Sequence, residues 1–220
     1  MVRNVNQKKT MKFRILTICI LSSTFSFGQE TVLREKKGES YYVLKDNREI
    51  KHGAYQYSAK KRLVEKGQYD NGNKVGVWEF YDEEGQLEQR YNYSSRQLEF
   101  NRNPKQFSDY KIIVDGKPTD IVPDTPPIFI GGRSRYGRYI AENLKYPSDS
   151  KSKGIEGRQF VLTSLTRNGD VEDVKIYRSI SPDIEALRLI SALPKEWIPA
   201  KHKSENVDVL IGLPVAFRLK

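Results

Sequence analysis

Residues able to do covalent chemistry are few in this sequence and do not converge. His52 and His202 are its two histidines, far apart and without clustered cysteine or carboxylate partners. No zinc or non-haem iron set can be assembled from them by spacing. Ser134 sits in Gly-Arg-Ser-Arg-Tyr-Gly, which lacks the Gly-x-Ser-x-Gly spacing that lifts a nucleophile onto a strand-to-helix elbow. Gly131 and Gly132 are not followed by Gly-Lys-Ser or Gly-Lys-Thr, so they read as a tight turn into a helix, not a phosphate loop. Asp82, Glu83 and Glu84 read as a solvated turn, and Arg133, Arg135 and Arg138 as solvent-facing charges at a helix start. The expectation is a chain with no enzymatic activity, no cofactor, no metal and no small-molecule substrate.

What remains is the hydrogen-bonding chemistry of the backbone, and one stretch offers it. From Val207 to Leu219 the odd positions Val207, Val209, Ile211, Leu213, Val215, Phe217 and Leu219 are all apolar. Such alternation marks a strand with one buried face. Pro214 lies inside the run and cannot donate to a ladder, which places the strand at a sheet edge. An edge can dock a partner's extended segment. The candidate site is therefore Val207, Asp208, Val209, Leu210, Ile211, Gly212 and Leu213, ahead of the proline. Its occupant would be a partner peptide or a second copy of the chain.

The elements that must position this edge can be read in chain order. The 220 residues suffice for one or two small domains, with a net charge of +10. Five of the basic residues fall in the first 28, which hold no acids, so the remainder carries +5. That bias is too mild to indicate nucleic acid. Lys12 and Arg14, an apolar run from Ile15 and a small-residue end at Ser26, Phe27 and Gly28 have the order of a secretory signal over 1–28. Cleavage after Gly28 would release the protein into the periplasm, and an uncleaved signal would leave it membrane-associated. Cys19, the sole cysteine, lies within that run, so the cleaved chain would have no thiol.

Residues 29–100 read as a small all-β meander. Gly53-Ala54-Tyr55-Gln56-Tyr57 aligns with Gly76-Val77-Trp78-Glu79-Phe80 at an offset of 23. Each block places two aromatics on one strand face, and Asn71-Gly72 and Glu84-Gly85 supply turns. Gly76-x-Trp78-x-Phe80-Tyr81, Gly85-x-Leu87 and Tyr69-x-Asn71-Gly72 resemble the MORN-like repeats of the YwqK antitoxin-like family. Tyr55, Tyr57, Trp78 and Phe80 either pack the hairpins together or form an aromatic binding face. Residues 101–125, broken by Pro104, Gly116, Pro118 and Pro123, read as a linker.

Residues 126–220 read as α-β-β-α-β. Tyr136, Tyr139, Ile140, Asn143 and Leu144 recur at helical spacing, ended by Pro147. Strands over 159–166 and 171–178 flank an Asn168-Gly169 turn. Ser181 reads as the N-cap of a second helix whose buried face is Ile184, Leu187 and Ile190. The fold class is α+β, with a three-stranded antiparallel sheet packed by two helices.

In this half Pro127-x-Phe129-x-Gly131-Gly132, Tyr139-Ile140-x-x-Asn143-Leu144-x-Tyr146-Pro147 and Gly154-Ile155-x-Gly157-Arg158 follow in order, and Leu193-Pro194-x-x-Trp197-x-Pro199 and Pro214-Val215-x-Phe217 come after them. Together they resemble the TonB C-terminal domain family. Ser150 and Ile130 depart mildly from its pattern. The resemblance implies a non-enzymatic adaptor that takes plug peptides of outer-membrane TonB-dependent receptors along its last strand, in service of transmembrane transport. Two other readings stay open. One is an envelope structural protein that uses the aromatic face and a homodimer of the C-terminal domain. The other is an energy transducer held by an uncleaved signal anchor.

Overall fold

Seven strands run up and down in sequence order to make the N-terminal sheet. They are β1 (Thr31–Lys36), β2 (Glu39–Leu44), β3 (Lys51–Ala59), β4 (Arg62–Asp70), β5 (Asn73–Tyr81), β6 (Leu87–Asn92) and β7 (Gln97–Asn101). The computed structural model describes residues 29–179 and 182–219, so the expected signal over 1–28 lies outside the described residues. Two-residue turns set the register of three of its hairpins, β1–β2, β3–β4 and β4–β5. Asn71 and Gly72, with φ of 45° and 82°, close β4 onto β5 as the Asn-Gly pair predicts. Gly67 is required for a different reason. A Cβ there would lie 2.3 Å from the Trp78 ring, which packs flat on the strand.

The C-terminal half is built on a five-stranded sheet in the order β12-β11-β16-β8-β9. Its strands are β8 (Lys111–Val114), β9 (Lys117–Pro118), β11 (Gly157–Leu165), β12 (Val171–Arg178) and β16 (Val209–Phe217). Shorter pieces pair off it, with β10 (Ile128–Phe129) on β13 (Trp197–Ile198) and β14 (Ala200–His202) on β15 (Glu205–Val207). The helices are α1 (Gly132–Asn143), α2 (Ser148–Ser152) and α3 (Asp183–Ser191). The α-β-β-α-β frame of the sequence reading is present, but three strands become five because the presumed linker contributes two. Residues 101–125 do not span a gap. Phe107, Tyr110 and Ile112 are buried in the same core as Phe129, Tyr136, Leu189 and β16.

That core takes every odd residue of β16 from Val209 to Phe217, each fully buried. Each large side chain so placed contributes about 1.5–3 kcal/mol. Helix α3 presents Ala186, Leu189 and Ile190 to it. Leu187 packs at the margin, and Ile184, expected on the buried face, is 85% exposed. The small Ala186 takes the central position against the sheet, which turns the helix away from the 184–187–190 stripe. The expected cap Ser181 lies outside the described residues, while Asp183 and Glu185 occupy the first turn, where the helix dipole favours acids.

The two halves meet at the turn into α1. Gly131 and Gly132 have φ of 97° and 81°, values open to glycine and strained for other residues. A Cβ on Gly132 would also lie 2.5 Å from the Glu88 side chain of β6. The close approach has a purpose. Glu88 accepts the backbone N–H groups of Arg133 at 2.9 Å and Ser134 at 3.2 Å. A helix start leaves such donors unpaired, and here a carboxylate 45 residues earlier supplies the cap that α1 lacks in its own sequence. Gln89 accepts from the Gly131 N–H and donates to the Phe129 carbonyl, and Gln106 bonds both the N–H and the carbonyl of Phe129.

Candidate functional site

The inner edge of β16 pairs with β11 over nine residues, from Gly157 opposite Phe217 to Leu165 opposite Val209. The outer edge is different. Only Val209 and Leu210 pair there, with Ile112 and Lys111 of β8. The Ile113 N–H donates to the Asp208 carbonyl at 2.8 Å. Antiparallel ladders alternate bonded and non-bonded pairs, so the even residues of β16 direct their backbone groups outward. Pro214 is one of these, and its missing N–H falls on the outer edge, where a sheet tolerates it. Its carbonyl accepts the Tyr136 hydroxyl at 2.9 Å, so a side chain of α1 stands there in place of a strand. Among the described residues no strand pairs with this edge beyond Leu210.

The structure divides the seven expected edge residues. Val207 belongs to β15 and pairs with Ala200. Asp208 separates β15 from β16 and is held by Arg167, whose backbone N–H and guanidinium both reach its carboxylate. The Arg167 hydrogen bonds, stronger than the opposing desolvation, hold the Asp208 carboxyl below its ordinary value. Val209 and Leu210 carry β8, and only Ile211, Gly212 and Leu213 lie past it. The expectation of an open edge over 207–210 is thus corrected, because the stretch read as linker folds onto it. The signal available in the sequence was Lys111-Ile112-Ile113-Val114, a strand too short to name its own partner.

The aromatic residues are placed by packing. Trp78 and Phe80 are 0% and 1% exposed and Tyr55 is buried, with Ile130 of the C-terminal half packed among them. An exposed binding face at Trp78 and Phe80 is ruled out because their own chain covers it. Tyr57 is half-buried, with its hydroxyl donating to Glu142 at 3.2 Å and Arg138 lying 5.4 Å from its ring centre. Arg135 and Arg138 do not face solvent as expected. Both reach Glu65, at 3.6 and 3.4 Å, and Arg135 also pairs with Glu196. Burial alone would raise the Glu196 carboxyl, but Arg135 and Lys74 outweigh it and hold it low. Burial lowers the Lys74 ammonium, with Arg135 adding to the effect. Helix α1 is thereby tied to the meander through charges as well as through Glu88.

No group of three or more histidine, cysteine or carboxylate side chains able to hold a metal occurs among the described residues. His52 instead sits 3.4 Å from Asp70, and His202 3.4 Å from Asp124. No helix among the described residues is long and apolar enough to cross a membrane.

Comparison with known proteins finds a family that part of the chain resembles. Residues 142–219 match the family described as Gram-negative bacterial TonB protein C-terminal. The matched region runs from the end of α1 through β16 and omits the meander and β8. Among solved structures, the NMR solution structure of Helicobacter pylori TonB-CTD is 27% identical, covering 39% of this chain and 91% of that chain at a TM-score of 0.30. The search of curated proteins returned no match.

Proposed function

We propose that the protein is a periplasmic adaptor that binds an extended plug peptide of an outer-membrane transporter by adding it as a strand to the outer edge of β16. The observation that carries the reading is β8. This strand comes from outside the α-β-β-α-β unit, yet it seats on β16 in antiparallel register through two residue pairs. The edge therefore accepts an added strand, and the one it holds is short. A partner strand replaces β8 at Val209 and Leu210 and continues past Gly212 toward Pro214. Main-chain hydrogen bonds supply its affinity, and pockets for alternate side chains supply its specificity. The family match over 142–219 supports a role in transport through receptor interaction, and such a role requires no catalytic group. The basic and apolar order of residues 1–28 supports export to the periplasm.

A disulfide between β8 and β16 tests this. Lys111 and Leu210 face each other across the ladder, at a separation a disulfide bridges, about 5.5 Å between Cα atoms. In a Lys111→Cys/Leu210→Cys variant, a photo-crosslinker at Gly212 should capture outer-membrane transporters only after reduction. Equal capture with the bridge closed, or capture confined to a probe at Tyr57, refutes strand addition at β16.

A further inference from the structure

The meander carries the same lysine-over-aromatics arrangement twice, and the rest of the chain covers the two copies unequally. Lys74 rests 4.8 Å from the Trp78 ring centre and 5.1 Å from that of Tyr93. Lys51, 23 positions earlier, rests 4.6 Å from Tyr41, 4.6 Å from Tyr55 and 5.3 Å from Tyr69. The later copy is fully engaged by the chain itself. Ile130 packs on Trp78 and Phe80. Glu196 accepts from Lys74 at 2.8 Å and from the Tyr93 hydroxyl at 3.1 Å. What this copy holds is a carboxylate beside a branched aliphatic side chain.

The earlier copy opens instead onto a cleft of about 740 Å³ between the sheet and α1. Tyr41, Tyr57, Arg138 and Glu142 line it together with Lys36 and Lys37. Of its three acids, Glu39 takes the Tyr55 hydroxyl at 2.9 Å and lies 3.6 Å from Lys51, Glu65 pairs with both arginines, and Glu142 accepts the Tyr57 hydroxyl at 3.2 Å. Lys36 and Lys37 are exposed and pair with no carboxylate among the described residues. Their turn is nonetheless fixed. Lys37 and Gly38 have φ of 49° and 87°, the Ser58 N–H donates to the Gly38 carbonyl at 2.9 Å, and a Cβ on Gly38 would lie 2.2 Å from the Ser58 oxygen. Two lysines without carboxylate partners among the described residues thus border a tyrosine-walled cleft on a fixed backbone turn, and pockets of this size with a few placed polar groups bind ligands.

We propose that this cleft is a second peptide site, which takes an acidic segment of a partner protein bearing a branched aliphatic residue. The carboxylates meet Lys36 and Lys37, and the aliphatic group lies on Tyr41 and Tyr57, as Ile130 lies on Trp78. The site stands whether or not β16 adds a strand. It is tested on the full chain with acetyl-Asp-Glu-Ile-Gly-Gly-amide and its counterpart acetyl-Asn-Gln-Ile-Gly-Gly-amide, with tyrosine ring signals followed by NMR. The acidic peptide should bind at least about tenfold more tightly, a difference of about 1.4 kcal/mol. Lys36→Glu/Lys37→Glu should erase that difference, and the closed β8–β16 disulfide should leave it intact. Equal affinity of the two peptides, a preference that survives lysine reversal, or ring shifts confined to Tyr136, which bonds Pro214 of β16, would overturn the proposal.

Discussion

Glu88 offers a quantitative test of whether meander and C-terminal half form one cooperative unit. The side chain is 2% exposed and accepts two backbone N–H groups at the start of α1. Glu88→Ala removes both bonds and leaves the two donors without partners. Hydrogen bonds to a charged group are worth about 1.5–3 kcal/mol each, so a loss of about 3 kcal/mol is expected. With a urea slope of about 3 kcal/mol/M, near the upper end for small proteins, the midpoint falls by about 1 M. Glu88→Gln keeps one acceptor oxygen and should lose about half as much. The chain provides its own probes, since its two tryptophans lie one in each half, Trp78 on β5 and Trp197 on β13. In Trp78→Phe and Trp197→Phe backgrounds, fluorescence follows one half at a time. Coincident transitions that shift together on Glu88→Ala are the expected result. A shift seen by Trp197 while Trp78 stays put would refute the single unit, and no shift at either tryptophan would refute the claim that Glu88 holds α1 in place.

Two further outcomes follow from the meander. Burial alone would raise the Glu79 carboxyl, but hydrogen bonds from Lys66, Tyr81 and Arg90 carry it down from 4.5 to about 2. A carboxyl lowered in the folded state adds stability that is present above its unfolded value and is lost as pH falls. The thermal midpoint should therefore drop between about pH 4.5 and 2 by less in Glu79→Gln than in the parent chain, and calorimetry across that window checks it. Gly67→Ala should cost about 1–3 kcal/mol, because its methyl group would lie 2.3 Å from the fully buried Trp78 ring. Urea unfolding reads this, and a neutral effect would show that the ring can shift.

How much of this molecule is legible in its sequence depends on the range of the interaction concerned. The alternation in β16, the Asn71-Gly72 and Asn168-Gly169 turns and the start of α1 at a glycine pair are set by neighbours along the chain, and each is found where its pattern places it. The proline in β16 led to the expectation of an edge strand, but β16 lies between β11 and β8, and the missing N–H is tolerated because Pro214 falls on the outer side past Leu210, where no described strand pairs. Partners across the fold were not legible. Nothing local in Lys111-Ile112-Ile113-Val114 states that it will pair with Val209 and Leu210, nearly a hundred residues on. Trp78 and Phe80 carry no sign that Ile130 will cover them, nor do Arg135 and Arg138 that Glu65 will draw them inward. Residue type and spacing fixed the buried face of β16, though not that of α3, where Ile184 is exposed. Only long-range packing chose what buries and pairs each element, because the free energy of each such contact depends on groups that the chain brings together from far apart.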